Sequence, residues 1–146
     1  MELVHAPEAL VGPRPWVFLA GSIEQGTAEP WQARVAEALA EREGTLLNPR
    51  RPEWDASWRQ SIDEPRFREQ VEWELDALER ADRILMYFDP ATKAPITLLE
   101  LGLFARSDKL RVACPEGYWR KGNVEVVAAR YDIPLFADLE DLLASI

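Results

Sequence analysis

Five short apolar runs alternate with segments of helical periodicity along this chain of 146 residues. The runs lie at residues 16–20, 45–47, 84–88, 110–114 and 133–136. A strand that is apolar on both faces is typical of a parallel sheet covered by helices on both sides. The alternation therefore predicts an α/β protein with a five-stranded parallel sheet between two helical layers.

The intervening segments supply the helices, which we predict over residues 31–43, 64–80, 98–107, 123–130 and 139–145. Gly44 suits the end of the first helix, and Asp63 followed by Pro65 suits the start of the second. Residues 50–63 form a long polar loop, and such loops in compact domains are often functional. We predict a loosely ordered tail over residues 1–14 and a single domain over residues 15–146.

The composition excludes several classes of function. A net charge of −9 argues against binding to a nucleic acid polymer, although a small nucleoside or nucleotide needs only local contacts. The single cysteine, Cys114, and the single histidine, His5, cannot build a usual zinc site, so no metal is expected. Neither a signal peptide nor an apolar run of membrane-spanning length is visible, which predicts a cytoplasmic protein without membrane contact.

Several polar or flexible residues follow the predicted strands, where open α/β sheets bind their ligands. The glycine-containing loop after the first strand matches neither the dinucleotide fingerprint nor the P-loop fingerprint. It is therefore either a ligand-binding loop or a plain tight turn. The two arginines after the second strand could bind an anion or could belong to a solvated turn. The aspartate after the third strand could line a pocket or could form an ordinary Asp-Pro turn. The candidates at these strand ends are Gly21, Ser22, Ile23, Asn48, Arg50, Arg51 and Asp89.

Two glutamates are the strongest candidates for chemistry. The spacing Thr97-x-x-Glu100 is that of a capping box, in which Glu100 would close the start of the third helix. Alternatively, Glu100 is an ionised carboxylate held at a positive helix end and aimed at a substrate as a nucleophile. Glu74 borders the apolar stripe of the second helix, so it is either an exposed edge residue or a second carboxylate facing the cleft.

Three of the six tryptophans, Trp54, Trp58 and Trp119, fall in predicted loops. Large aromatic side chains are less expected there than in a core. They suit a stacking surface for a base or a buried subunit interface equally well.

Six short motifs follow one another from about Trp16 onward. They are FLAGSI at residues 18–23, NPR at 48–50, QVEWE at 70–74, AD at 81–82, TxxELG at 97–102 and GNV at 122–124. This ordered set resembles the nucleoside 2-deoxyribosyltransferase-like family, which is related to the deoxynucleoside monophosphate N-glycosidases. The resemblance implies a flavodoxin-like (Rossmann-like) fold and cleavage or transfer at the N-glycosidic bond of a nucleoside-like substrate, without a cofactor.

The resemblance also implies roles for individual residues. Glu100 would attack the sugar and form a covalent glycosyl-glutamate intermediate, and Glu74 would bind and protonate the base, as paired carboxylates do in retaining glycosidases. Asn123 would enter the site of a neighbouring subunit, which implies a homo-oligomer. The remaining pocket residues would be Gly21, Ser22, Ile23, Asn48, Arg50, Asp89 and Thr97.

The sequence departs from the family pattern at three points. Val17-Phe18 offers no tyrosine hydroxyl on the first strand, Glu24 stands where monophosphate-cleaving members have arginine, and Glu74 replaces the more usual aspartate. The first two departures favour an alternative, a module that binds a nucleotide or its derivative without cleaving it. A flavin or nicotinamide domain is disfavoured because the phosphate fingerprint is absent.

Overall fold

The computed structural model describes residues 1–22, 30–51 and 56–146, and its centre is a sheet of parallel strands. The strands are β1 (Glu2–His5), β2 (Trp16–Gly21), β3 (Thr45–Asn48), β4 (Arg83–Tyr87), β5 (Leu110–Ala113) and β6 (Leu135–Phe136). Their order in the sheet is β1-β3-β2-β4-β5-β6, and all neighbours are parallel. Strands β2 to β6 follow the flavodoxin-like order, so the predicted fold class is confirmed.

The predicted strand count of five was wrong by one, because residues 2–5 pair with the edge of β3. Val4 lies opposite Leu47 and is buried, as is Ala6 just beyond the strand. Further along, the Thr45 hydroxyl donates to the Pro13 carbonyl oxygen over 2.8 Å. The segment predicted as a tail thus supplies an edge strand, which the sequence pattern missed because only two of its four residues are apolar.

Five helices flank the sheet in the described part of the chain. They are α1 (Trp31–Ala38), α2 (Pro65–Arg80), α3 (Pro95–Phe104), α4 (Lys121–Arg130) and α5 (Leu139–Ala144). Helices α1 and α5 cover one face of the sheet with apolar side chains such as Val35 and Leu142. Helices α2, α3 and α4 cover the other face, where Leu78, Leu101 and Val124 lie in the second core. None of these helices is long and apolar enough to cross a membrane.

Some predicted helix boundaries were wrong. Helix α3 begins at Pro95 instead of residue 98, because proline lacks an N–H and suits the first helical position. Helix α1 ends at Ala38, and Gly44, with a φ of 124°, lies immediately before β3 instead of capping the helix. Helix α2 starts at Pro65, but Glu64 occupies the cap position in place of Asp63.

The strand order has a switch point beside β2. The chain passes from β2 to β3 on one side, whereas β4 pairs with β2 on the other side. In open α/β sheets this arrangement leaves a crevice outside the carboxyl ends of the strands, where ligands bind. The residues at these ends are Gly21 and Ser22 after β2, Asn48 at the end of β3, and Asp89 after β4.

Candidate active site

Glu100 lies in the second turn of α3 and is 7% exposed. The helix cap position is occupied by Ala94 and carries no side-chain hydrogen bond. Thr97 is the third residue inside the helix, so the spacing Thr97-x-x-Glu100 is not a capping box here. The helix-cap hypothesis was therefore wrong, and Glu100 needs another explanation for its burial.

A second carboxyl group, that of Glu74 on α2, lies close to Glu100. Burial raises the pKa of Glu74 to about 7, and a hydrogen bond with the Gln70 side chain offsets part of this rise. Burial also raises the pKa of Glu100 to about 8, and the negative charge of Glu74 adds to that rise. Part of Glu74 remains at the surface, so the pair lies at the boundary between core and solvent.

The chemical consequence is that the two carboxyl groups hold one proton between them near pH 7 to 8. Two close carboxylates in a water-poor site resist being charged together. Such a pair provides one neutral acid and one anion in the same place, which is the minimum for acid-assisted nucleophilic displacement.

The loops after β2 and β4 are joined by a buried chain of hydroxyl groups. The Ser22 Oγ lies 2.6 Å from the Thr92 Oγ1, and the Thr92 hydroxyl donates to the Asp89 carbonyl oxygen over 2.9 Å. The Asp89 carboxylate accepts the Ala91 backbone N–H at 2.8 Å, which is an Asp turn of the kind the sequence offered as one alternative. These contacts tie Ser22 to the loop after β4.

Gly21, the last residue of β2, marks a close approach of the chain to a neighbouring side chain. A Cβ atom there would lie 2.5 Å from Trp31 Cζ2 and 2.7 Å from the Tyr87 carbonyl oxygen. Both distances are shorter than van der Waals contact, so only glycine fits. Steric exclusion inside the protein is thus a sufficient reason for this glycine.

The end of β3 is held by polar contacts from three directions. The Asn48 Oδ1 accepts the Arg50 backbone N–H at 2.9 Å, and the Asn48 carbonyl oxygen accepts the Ala6 backbone N–H at 3.1 Å. The Gln70 side chain reaches over from α2 and donates to the Pro49 carbonyl oxygen at 2.8 Å. These bonds bring β3 and the acid-bearing helix α2 together.

The two arginines after β3 have different environments. Arg51 pairs with Glu69 at 3.0 Å, is nearly buried, and stacks on the buried Trp58 with 5.2 Å to the ring centroid. Arg50 is half-buried, and its carbonyl oxygen contacts the His5 ring. Arg51 is therefore engaged in packing the long loop, which leaves Arg50 as the better candidate for an anion.

The remaining sequence candidates are dispersed. Thr97 is buried one turn before Glu100 on the same face of α3, and Asn123 is exposed in the first turn of α4. Trp119 is half-exposed between the cationic groups of Lys93 and Arg120. Ile23, Glu24 and Trp54 lie outside the described residues.

Two residues of the site were not found by sequence reasoning. Thr92 contacts Ser22, and Gln70 donates to the Pro49 carbonyl oxygen. Gln70 carried a signal, since it occupies a core-facing position of α2 together with Trp73 and Ala77. A glutamine in a buried helical stripe is unusual enough to mark a site. In the described part of the chain, no group of three or more acidic, cysteine or histidine side chains is arranged to hold a metal.

The structure is that of a flavodoxin-like α/β protein in which two helices on one face of the sheet carry a pair of buried carboxyl groups. Residues 14–118 match the family described as nucleoside 2-deoxyribosyltransferase like. The match covers most of the chain, so this protein belongs to that family. A comparison with individually curated proteins finds no match.

Proposed function

We propose that this protein is an enzyme that cleaves or transfers the N-glycosidic bond of a nucleoside-like substrate through a covalent glycosyl-Glu100 intermediate. The observation that carries the proposal is the buried Glu74–Glu100 pair in a member of this family. In the described part of the chain, Glu100 neither caps its helix nor pairs with a cation, so its burial has no evident structural reason.

The reaction would proceed in two displacements. A carboxylate oxygen of Glu100 attacks the anomeric carbon, the C–N bond breaks, and its electron pair goes to the base, which takes the proton of Glu74. Water or a second base then attacks the same carbon, the ester C–O bond breaks, and Glu100 leaves as a carboxylate. Glu74 accepts the proton of the incoming nucleophile, and two inversions give net retention.

The proton that the pair holds must lie on Glu74 in the substrate complex. Burial raises the pKa of both groups, and the first step needs Glu100 ionised and Glu74 protonated. Positive charge develops on the sugar ring beside Glu100 as the C–N bond stretches, and it favours the anion there. The same proton is then held by Glu74, which is close to the leaving base.

Asn48 is our candidate for holding the substrate, since its Oδ1 is occupied by the Arg50 backbone and its amide N–H groups remain as donors at the crevice. Gly21, Ser22, Ile23, Arg50, Asp89 and Thr97 stay predictions as pocket residues. The Ser22 hydroxyl is engaged with Thr92, so it would position the loop unless a ligand displaces that contact.

The test is release of free base from a panel of nucleosides, 2′-deoxynucleosides and their 5′-monophosphates, measured by chromatography. Glu100→Gln should lower release by more than about a thousandfold, whereas Glu72→Gln, an exposed position on α2, should leave it unchanged. Mass spectrometry of the protein with substrate should find a glycosyl group on the peptide containing Glu100. Saturable binding without base release from any compound would support the alternative, a nucleotide-binding module.

We also propose that the protein is a homo-oligomer in which Asn123 lies near the site of a neighbouring subunit. The exposed face of α3 supports this, because Ile96, Leu99 and Leu103 are each more than half exposed and the only charged residue of the helix, Glu100, points inward. Contiguous apolar surface of this kind marks interfaces. A cytoplasmic location remains part of the proposal, because nucleosides and nucleotides are metabolites of that compartment.

A further inference from the structure

The loops after β4 and β5 are joined to each other outside the carboxyl ends of these neighbouring strands. Lys93 lies in the first loop, one residue before the cap of α3, and Trp119 lies in the second loop. The Lys93 carbonyl oxygen accepts the Trp119 indole N–H at 2.9 Å and the Tyr118 hydroxyl at 2.5 Å. Tyr118 is buried, and its ring centroid lies 4.8 Å from that of Phe88, so the junction rests on the core.

The outer side of this junction carries two positive charges on one aromatic ring. Trp119 is 50% exposed, the Lys93 Nζ lies 4.5 Å from its ring centroid, and the Arg120 Cζ lies 4.4 Å from it. The two cations are thus held close together, although like charges repel. A cation over an exposed ring gains only about 0.5–1 kcal/mol, and the ring does not neutralise it. The ring therefore positions both charges without cancelling either.

Arg120 makes no ion pair in the described part of the chain. Glu116, the acid nearest to it in sequence, pairs with Lys121 at 2.9 Å. The chain as a whole carries a net charge of −9, so an anionic ligand needs a local cationic cluster to attract it. This cluster lies outside the carboxyl ends of parallel strands, which is where open α/β sheets bind their ligands.

We propose that Lys93, Trp119 and Arg120 form a subsite for the phosphate group of a nucleotide, so that the protein acts on nucleotides in preference to nucleosides. The inference deepens the function proposed above and rests on it for its catalytic meaning. A guanidinium group offers phosphate a fork of N–H donors, and an ammonium group offers it a compact charge. Trp119 contributes by fixing the two cations at one place.

The subsite is also suitably placed along the chain relative to Glu100. Lys93 lies two residues before Pro95, the first residue of α3, and about 8 Å of helix axis separate Pro95 from Glu100. A nucleotide whose sugar lies beside Glu100 would extend its phosphate group along the start of α3 toward the two cations. This arrangement would keep the negative phosphate away from the carboxyl pair.

The test is equilibrium binding of 2′-deoxynucleosides and their 5′-monophosphates to Glu100→Gln, measured by isothermal titration calorimetry at one ionic strength. At least one monophosphate should bind about tenfold or more tightly than its own nucleoside. Adding Arg120→Gln or Lys93→Gln should remove most of this difference and leave nucleoside binding unchanged. Arg130→Gln is the matched control, because it removes one charge from an exposed position at the other end of α4 and should preserve the difference.

Equal binding of monophosphates and nucleosides, failure of every monophosphate to bind, or a difference that survives both substitutions would overturn the proposal. An equal loss in Arg130→Gln would also overturn it, since long-range charge would then be responsible. Equally tight binding of inorganic phosphate would reject a nucleotide subsite in favour of a site for a free anion.

The failure of this inference and the failure of the proposed function give different results. Tighter binding of a monophosphate, lost in Arg120→Gln, without base release by the wild type would reject the enzymatic function and retain the subsite. Base release with equal kcat/KM from nucleosides and monophosphates would retain the enzymatic function and reject the subsite.

Discussion

Glu74 on α2 and Glu100 on α3 lie close enough for the charge of the first to raise the pKa of the second. Burial raises the pKa of each carboxyl group, and the charge of Glu74 adds to the rise at Glu100. It is the packing of α2 beside α3 on one face of the sheet, with Trp73 and Leu101 in a common core, that brings the two side chains into one water-poor site. The pair is therefore a product of tertiary structure.

Removing the charge of Glu74 should make Glu100 easier to ionise. In Glu74→Gln we expect the pKa of Glu100 to fall below its value in the wild type, because one of the two influences that raise it is gone. Carbon-13 NMR titration of the Glu100 carboxyl measures this directly. Glu72→Gln removes a charge from the exposed side of the same helix and should leave the titration unchanged; a shift of equal size there would mean that long-range charge alone is responsible.

Base release should have a narrow pH optimum. One proton on the pair is required, so activity should fall below about pH 7, where both groups become protonated, and above about pH 8, where both become ionised. Initial rates of base release between pH 5 and 10 test this. A rate that stays constant from pH 5 to 10 would contradict a reaction that depends on these two groups.

The pair should also destabilise the fold as pH rises. Both carboxyl groups have a higher pKa in the folded protein than the ordinary value of 4.5, so the folded state binds protons more tightly than the unfolded chain. The free energy of unfolding should therefore decrease from about pH 4.5 to about pH 8 on account of these groups. Urea unfolding should find Glu100→Gln more stable than the wild type at pH 8.5, by on the order of 1–3 kcal/mol.

That gain should shrink at pH 5, where Glu100 is neutral in the folded wild type and resembles the glutamine. Equal differences at the two pH values would indicate that the substitution acts through packing. A variant that is both inactive and more stable is the expected outcome for a buried catalytic carboxyl group.

Gly21 should tolerate no side chain. Gly21→Ala places a methyl group against Trp31 and the Tyr87 carbonyl, and we expect a loss of about 1–3 kcal/mol in the free energy of unfolding. Gly122→Ala is the matched control, because a Cβ there meets no atom within 4 Å and lies on α4. The control should be neutral or slightly stabilising; similar losses at both positions would contradict the steric explanation.

A charge on the outer face of α3 should weaken self-association. Leu99→Glu should move the protein toward the monomer in sedimentation velocity runs at micromolar concentration, with little effect on circular dichroism, since the residue is 59% exposed. Ile62→Glu, at another exposed apolar residue outside α3, should leave the oligomer intact. A wild-type protein that is itself monomeric at these concentrations would remove the proposed interface.

The core of this fold was predictable because strands and helices have different spacings of apolar residues in the sequence. Residues 16–20 and 84–88 are continuously apolar, and both form central strands within a residue of the expected bounds. The edge strand at residues 2–5 was not predictable in the same way. Its register comes from pairing with β3, a contact that no local pattern encodes.

Only part of the candidate site could be predicted from the sequence. The sequence marked Glu100, but the boundary of α3 decided between a cap and a free carboxyl group, and Pro95 moved that boundary by three residues. The contact of Gln70 with Pro49 depends on how α2 packs against β3, which spacing along one helix cannot specify. The sequence therefore identified the two glutamates but not the residues that surround them in the structure.

The added strand β1 has a consequence for the solubility of the protein. Without it, β3 would be the outermost strand, and its backbone N–H and C=O groups would offer a template for a foreign chain. With it, the exposed rim is four residues long and carries the charged Glu2. Deleting residues 1–6 should therefore promote aggregation at the margin of the sheet well before it unfolds the centre.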